Sequence, residues 1–267
     1  MQRSPEGEEQ NEPPTHQECL LLDTVHLIIA AVVMLVGAVI LSATGFGIGL
    51  VTTPFLLLVF DPKTVVVLIN TIAAGLLAMV LADTRDHLEI KANIPLAVSA
   101  VLGVPVGVIA LSSLSAVALR IGITVLIILL TIIVALNIRV KVPAPRVSGP
   151  IIGFAVSALV TGLAIGGPLM MLFLMNFNYS VPKIRATMAF YYMPMGLAAI
   201  VGYAVAGLYT RERILLVLAV VIPSIVGYRL AVLIVRRIND AMFRRGVVAI
   251  IAITSVIVLA REVVTAL

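Results

Sequence analysis

Ser42-Ala43-Thr44-Gly45-Phe46-Gly47-Ile48-Gly49 leads on to Pro54 and then to Asp61-Pro62-Lys63. The chain says nearly the same thing again at Thr161-Gly162-Leu163-Ala164-Ile165-Gly166-Gly167-Pro168, followed by Val181-Pro182-Lys183. The correspondence continues beyond the glycines. Gly103 and Gly107 match Pro223 and Gly227, and Arg120 with Gly122 matches Arg244 with Gly246. Two apolar halves interrupted by glycine and proline at corresponding places are the best pointer in a sequence to the binding site of a transporter.

The apolar character around these motifs sets the class of protein. Of the 267 residues, 61% are hydrophobic and 12% charged, with a mean hydropathy of +1.19. Soluble domains carry roughly 25% charged residues, so this chain has too little polar surface to cover a water-facing globule. Long apolar runs extend from Val25 to Thr44, Thr64 to Ala82, Ala92 to Ser113, Ile121 to Ile138, Ala186 to Tyr209, Ile214 to Tyr228 and Val247 to Ala260. A helix needs roughly 20 apolar residues to cross a bilayer. Only helices and closed barrels satisfy the backbone in lipid, and continuous runs without alternation exclude the barrel.

The expected fold is an all-α polytopic membrane protein of eight to ten membrane segments. It is built from two homologous repeats in inverted orientation, each a Gly/Pro-broken helix pair plus three transmembrane helices. The domain reading is a disordered polar N-terminal tail (1–24), membrane repeat 1 (25–140), a basic linker (141–148) and membrane repeat 2 (149–267). In the first half the segments fall near 25–44, 46–60, 64–82, 92–113 and 119–138. In the second they fall near 149–165, 167–177, 184–208, 213–235 and 242–264. The second segment of each half is too short to cross a core of roughly 30 Å, which suits a half-helix folding back.

Basic residues test the direction. If each broken pair crosses and returns, Arg85, Lys91, Arg139, Lys141, Arg146, Lys183, Arg185, Arg236, Arg237, Arg244 and Arg245 share one side. Arg3, Lys63, Arg120, Arg211, Arg213 and Arg261 take the other, a split of eleven to six. Parallel halves divide the same residues nine to eight, with Arg229 outside both counts. The positive-inside rule favours inverted halves with extracytoplasmic termini, and the expected location is a cell (plasma or inner) membrane. The tail, rich in Glu, Gln and Pro, lacks the basic start and cleavage site of a signal peptide, so the first apolar run is expected to act as a retained anchor. Cys19 is the only cysteine, which excludes a disulfide framework or a cysteine metal set. The pI near 9.7 reflects loop charges and gives no reason to invoke nucleic acid.

The chemistry lies at the breaks. Gly45, Gly47 and Gly49 suit an unwound backbone closely approached by another group. Thr44, Thr52 and Thr53 add hydroxyls. Where a helix restarts, free N–H groups and the positive dipole end favour an anion. Thr161, Gly162, Gly166 and Gly167 offer the same in the second copy, with Pro168 suited to the first turn of the restarting helix. The same glycines also read as small-xxx-small packing motifs, and for Gly103 and Gly107 packing is the better reading.

These paired motifs resemble the TauE/SafE family of membrane exporters. The resemblance is carried by Gly45 to Pro54 with Pro62-Lys63, and by Gly162 to Pro168 with Pro182-Lys183-Ile184-Arg185-Ala186-Thr187. It covers about residues 27–264. It implies export of small sulfur-containing anions such as sulfite, sulfoacetate or related organosulfonates. Ile48 stands where the family often has a third consecutive glycine, Asn70-Thr71 replaces a more usual Thr-Ser, and Phe173 matches Pro54.

Outside the breaks, Asn70 and Thr71 can face the site or bond between helices, and Thr187 follows the second basic motif. Arg185 and Arg229 are candidates for attracting an anion. Arg185 also reads as a positive-inside anchor, and Arg229, an intramembrane arginine, can equally snorkel. Asp83, Asp86 and Glu89 read as a solvated loop. The histidines form no metal set, and the tyrosines read as interfacial anchors or packing groups. The expectation is therefore a secondary transporter of small anions with no cofactor and no catalytic residue. Its partners are a small anionic substrate and the bilayer, with a coupling proton or sodium ion and a homodimer left open. An anion channel on the same breaks is the alternative. A membrane enzyme would need a nucleophile–base pair or metal cluster, and none is legible.

Overall fold

A computed structural model of the chain describes residues 16–135, 145–177 and 179–235. They form α1 (His16–Thr44), α2 (Ile48–Leu56), α3 (Pro62–Thr84), α4 (Ile90–Ser113), α5 (Ala116–Ala135), α6 (Pro145–Leu163), α7 (Gly167–Leu174), α8 (Val181–Val205) and α9 (Arg211–Val235). No strand occurs among the described residues. The segment expected at 242–264 lies outside them, as do Arg236, Arg237, Arg244, Arg245 and Gly246. Among the described residues, five helices are long and apolar enough to cross a membrane: Thr24–Thr44 within α1, α3 with its following turn, α4, α8 and most of α9.

Local chemistry sets the helix ends. Asp61 caps α3, its side chain accepting from Thr64 N at 3.1 Å, and Pro62 opens the helix where its missing N–H has no intrahelical acceptor. Pro182 does the same for α8. Two starts differ from the sequence reading. α1 begins at His16, inside the stretch taken for the polar tail, and α6 begins at Pro145, inside the stretch taken for the linker. Gln17, Glu18 and Leu20 to Leu22 are good helix formers, so an apolar helix already formed extends back through them with no new nucleation.

The two halves share one interior. α3 and α8 pack together at the centre, with α1 against α9 on one flank and α4 against α6 on the other. Val65 to Ile69 of α3 are at most 1% exposed. Leu102, Ile109, Val117 and Ile222 are more than 60% exposed, a lipid-facing surface on α4, α5 and α9. Exchanging the halves turns the α1–α9 contact into the α6–α4 contact, and glycines sit at both. A Cβ on Gly107 would meet Ala158 O at 2.5 Å and Thr161 Cβ at 2.6 Å, whereas one on Gly227 would meet the Leu35 carbonyl and Ala38. Close backbone approach of this kind is how membrane helices gain packing without a hydrophobic driving force between them.

Each short helix folds back along its predecessor. Gly37 of α1 lies against Thr52 and Ile48 of α2, and the rings of His26 and Phe60 meet at 6.1 Å. The mouth of this first hairpin adjoins Asp61, Arg213 (3.5 Å from Asp61) and Lys63, which donates to Ser112 O at 2.9 Å. Gly149 of α6 lies against the ring of Phe173 in α7, a Cβ there meeting Phe173 Cζ at 3.5 Å. Near this second mouth Lys183 pairs with Glu89 at 2.6 Å and covers the Tyr179 ring at 4.2 Å. Glu89 precedes α4 and Ser112 ends it, so the hairpins open at opposite ends of that helix.

Candidate functional site

The first break is a short stretch of irregular backbone held by one threonine. Thr44 Oγ1 lies between the carbonyls of Ile40 (2.8 Å) and Phe46 (2.7 Å), and accepts from Phe46 N at 3.3 Å. Gly45 and Gly47 have φ of +83° and +91°, in the left-handed region that glycine enters without a Cβ penalty. α2 then starts with no side-chain cap. Its first intrahelical bond of this turn is Val51 N to Gly47 O at 3.1 Å, and the amides of Ile48, Gly49 and Leu50 have no acceptor among the described residues. Three free N–H groups at the positive end of a helix form a ready anion cradle.

The second break is tighter. Ala164 takes a φ of +60°, an unusual conformation for a residue with a Cβ. Gly166 O accepts from Leu169 N at 3.0 Å. Pro168 occupies the first turn of α7, and the Gly167 amide beside it has no acceptor among the described residues.

The two breaks touch. The Ala164 carbonyl oxygen occupies the space where a Cβ on Gly49 would stand, and a Cβ on Gly167 would lie 3.0 Å from Phe46 Cβ and 3.3 Å from Gly47 N. Between them is a cavity of about 40 Å³, far below the roughly 300–1,000 Å³ of sites for drug-sized ligands. Gly47, Ile48, Gly49, Gly166, Gly167, Pro168, Asn70 and Tyr192 line it, with Leu41, Leu77 and Met195 supplying apolar wall. The Tyr192 hydroxyl is buried and has no partner among the described residues.

Asn70 and Tyr203 hold the second break in place. Asn70 Nδ2, with two N–H groups to give, lies 3.0 Å from each of Val66 O, Val160 O and the Tyr203 hydroxyl. The Tyr203 hydroxyl in turn donates to Thr161 O at 2.6 Å. The Val160 carbonyl also accepts from Ala164 N at 2.8 Å, while that of Thr161 is among the last carbonyls of α6, which lack an intrahelical donor. The first break has a counterpart in Arg185, whose Nη2 donates to Ser42 O at 2.6 Å.

Not every residue singled out in the sequence reaches the cavity. Gly47, Gly49, Asn70, Gly166, Gly167 and Pro168 line it. Thr44 and Gly45 shape the first break, where a Cβ on Gly45 would meet Met188 Cβ at 3.3 Å and Arg185 Cα at 3.5 Å. Thr52 donates to Ile48 O at 2.7 Å, and Thr71 meets the Tyr209 hydroxyl at 2.7 Å. Gly162 packs on Gly107. Thr53, Thr161 and Thr187 are fully buried with unpartnered hydroxyls, outside the cavity lining. Arg185 and Arg229 share a separate pocket with Asp83 and Tyr228. Tyr192, Tyr203 and Phe46 were not singled out as site residues. A tyrosine in an apolar run looks the same whether its hydroxyl faces a headgroup, a carbonyl or a cavity.

The family model of the sulfite exporter TauE/SafE matches residues 29–258. No curated protein matches the chain, and no solved structure does. With most of its length covered, the chain belongs to the TauE/SafE family, a family of membrane transporters.

Proposed function

We propose that this TauE/SafE family member is a secondary transporter that exports a small sulfur oxyanion, sulfite or a sulfonate, across the cell membrane by alternating access. The anion sits between the two breaks, held by the amides of Ile48, Gly49, Leu50 and Gly167 and by the Tyr192 hydroxyl. Asn70 and Tyr203 fix the second break around it. The observation that carries this reading is the contact of Gly49 with Ala164 and of Gly47 with Gly167 around one small cavity. Such a site binds by dipoles and hydrogen bonds, and a helix N-terminus concentrates about half an elementary charge.

The two halves are inverted repeats in this reading, with both termini outside. Hairpin mouths at opposite ends of α4 support it, as does the exchange of the α1–α9 and α4–α6 contacts. Discontinuous helices meeting at the interface of inverted repeats are the usual architecture of a midplane site.

Efflux of sulfite from loaded proteoliposomes tests the function. Gly47→Leu and Gly166→Leu, in protein that purifies and reconstitutes like wild type, are expected to abolish it. Efflux indifferent to both substitutions overturns the reading. Saturation at low flux separates a carrier from a channel, which would instead carry a measurable single-channel current.

A further inference from the structure

Below the break cavity lies a wider space with a different lining. Asp83 at the end of α3, Arg185 on α8, and Tyr228 and Arg229 on α9 enclose a pocket of about 520 Å³. We propose that this pocket is a second anion station, where Arg185 and Arg229 collect the oxyanion before it passes Ser42 into the cavity, with Asp83 setting the charge balance. The inference rests on reading the chain as an anion transporter and adds its route of access.

Charge is the first argument. The described residues lining the pocket carry two guanidinium groups and one carboxylate. The Tyr228 hydroxyl donates to Asp83 Oδ2, and no ion pair among the described residues joins Asp83 to either arginine. A surplus positive charge is left for a ligand. Guanidinium forks match the oxygens of an oxyanion in a way a point charge does not.

Arg185 supplies the second argument. It is 8% exposed, its Nη2 holds the Ser42 carbonyl, and its buried Nε has no partner among the described residues. The hydroxyls of Ser42 and Thr187 are likewise buried and unpartnered. A buried cation with unused donors is unfavourable unless an anion completes it.

Position is the third. Leu41 and Leu77 line the cavity, while Ser42 is bonded to Arg185 and Met79 lines the pocket. Arg185 therefore stands between the two spaces. The pocket is at the end of α3 that leads to Arg85, the basic side that the positive-inside rule places in the cytoplasm. An exported anion arrives from there.

The test is sulfite binding to the purified full chain in detergent, by calorimetry, alongside efflux from proteoliposomes. Arg229→Gln is expected to weaken binding about tenfold and Asp83→Asn to strengthen it about threefold, both effects shrinking in high salt. Taurine, with no net charge, is expected to respond less to either change. Opposite signs at two neighbouring positions distinguish a charge-reading site from loss of structure. Shifts of the same sign, or none, overturn the proposal. Opposing shifts in binding without any efflux from wild-type vesicles would leave the station standing and remove the transport reading. Efflux that depends on Gly47 and Gly166 but keeps its apparent KM in Arg229→Gln and Asp83→Asn would do the reverse.

Discussion

Gly49 and Ala164 lie so close that the carbonyl oxygen of one residue fills the place where a side chain on the other would begin. They belong to different halves of the chain, 115 positions apart in number, yet between them they define one wall of the cavity. The absence of a Cβ at Gly49 is what lets the two breaks meet.

Gly49→Ala is accordingly expected to force α2 away from the second break. Efflux should fall by at least tenfold, since a displacement of about 1 Å at a binding site can cost 10²-fold in rate. Gly75 is the control: a Cβ there meets nothing within 4 Å. Gly75→Ala should leave efflux intact and raise helix stability by about 0.5–1 kcal/mol. Efflux assays and thermal melts of the two variants check this pair.

The Asn70–Tyr203 link should be visible in stability. Tyr203→Phe removes the donor to Thr161 O and the acceptor for Asn70 Nδ2. A loss of about 0.6–1.7 kcal/mol is expected, the range for hydrogen bonds between membrane helices. Asn70→Ala should cost a similar amount. The double variant should lose less than the sum of the two, because each single change already breaks the shared bond. Unfolding in mixed micelles measures the cycle, and strict additivity would contradict the network.

Tyr192 should behave in the opposite way. Its buried hydroxyl has no partner among the described residues, so Tyr192→Phe is expected to leave stability unchanged or raise it by up to about 1 kcal/mol. If the hydroxyl meets the anion, the same change should raise the KM for sulfite about three- to tenfold through loss of one hydrogen bond. A variant with unchanged KM would remove Tyr192 from the site.

Orientation can be read from accessibility. Cys19 is the only native cysteine, so Cys19→Ser gives a clean background. Ser115 and Arg211 are exposed near the mouth of the first hairpin, and His87 is exposed near that of the second. Ser115→Cys and Arg211→Cys should react with an impermeant maleimide added outside intact cells. His87→Cys should react only after the membrane is opened. Labelling of all three from one side would exclude the inverted arrangement.

Much of the fold was legible because membrane helices are written in composition. Runs such as 64–82 and 92–113 required no knowledge of their neighbours, and Pro62 and Pro182 marked helix starts through their missing donors. Gly103 and Gly107 also read correctly as packing positions, since both lie against α6. The candidate site was legible only in part. Gly47, Gly49, Gly166, Gly167, Pro168 and Asn70 do line the cavity, whereas Gly162 matched the motif equally well but faces α4. Thr71 differs from Asn70 by one position and turns to Tyr209 instead. A rotation of about 100° per residue separates neighbours on a helix, and pattern alone does not fix which one faces inward.

The sequence by itself determined that the chain lives in lipid, where its helices break, and that it breaks twice in the same manner. Those properties follow from backbone chemistry acting over a few residues: glycine permits φ > 0, proline lacks a donor, and hydrocarbon tolerates no unpaired amide. Tertiary structure alone decided that the Ala164 carbonyl would lie on Gly49, that Tyr203 would support Asn70, and that Arg185, Arg229 and Asp83 would share one pocket. Each of these joins residues on different helices. Their meeting depends on how whole helices pack and on the azimuth each presents, which no local stretch of sequence encodes.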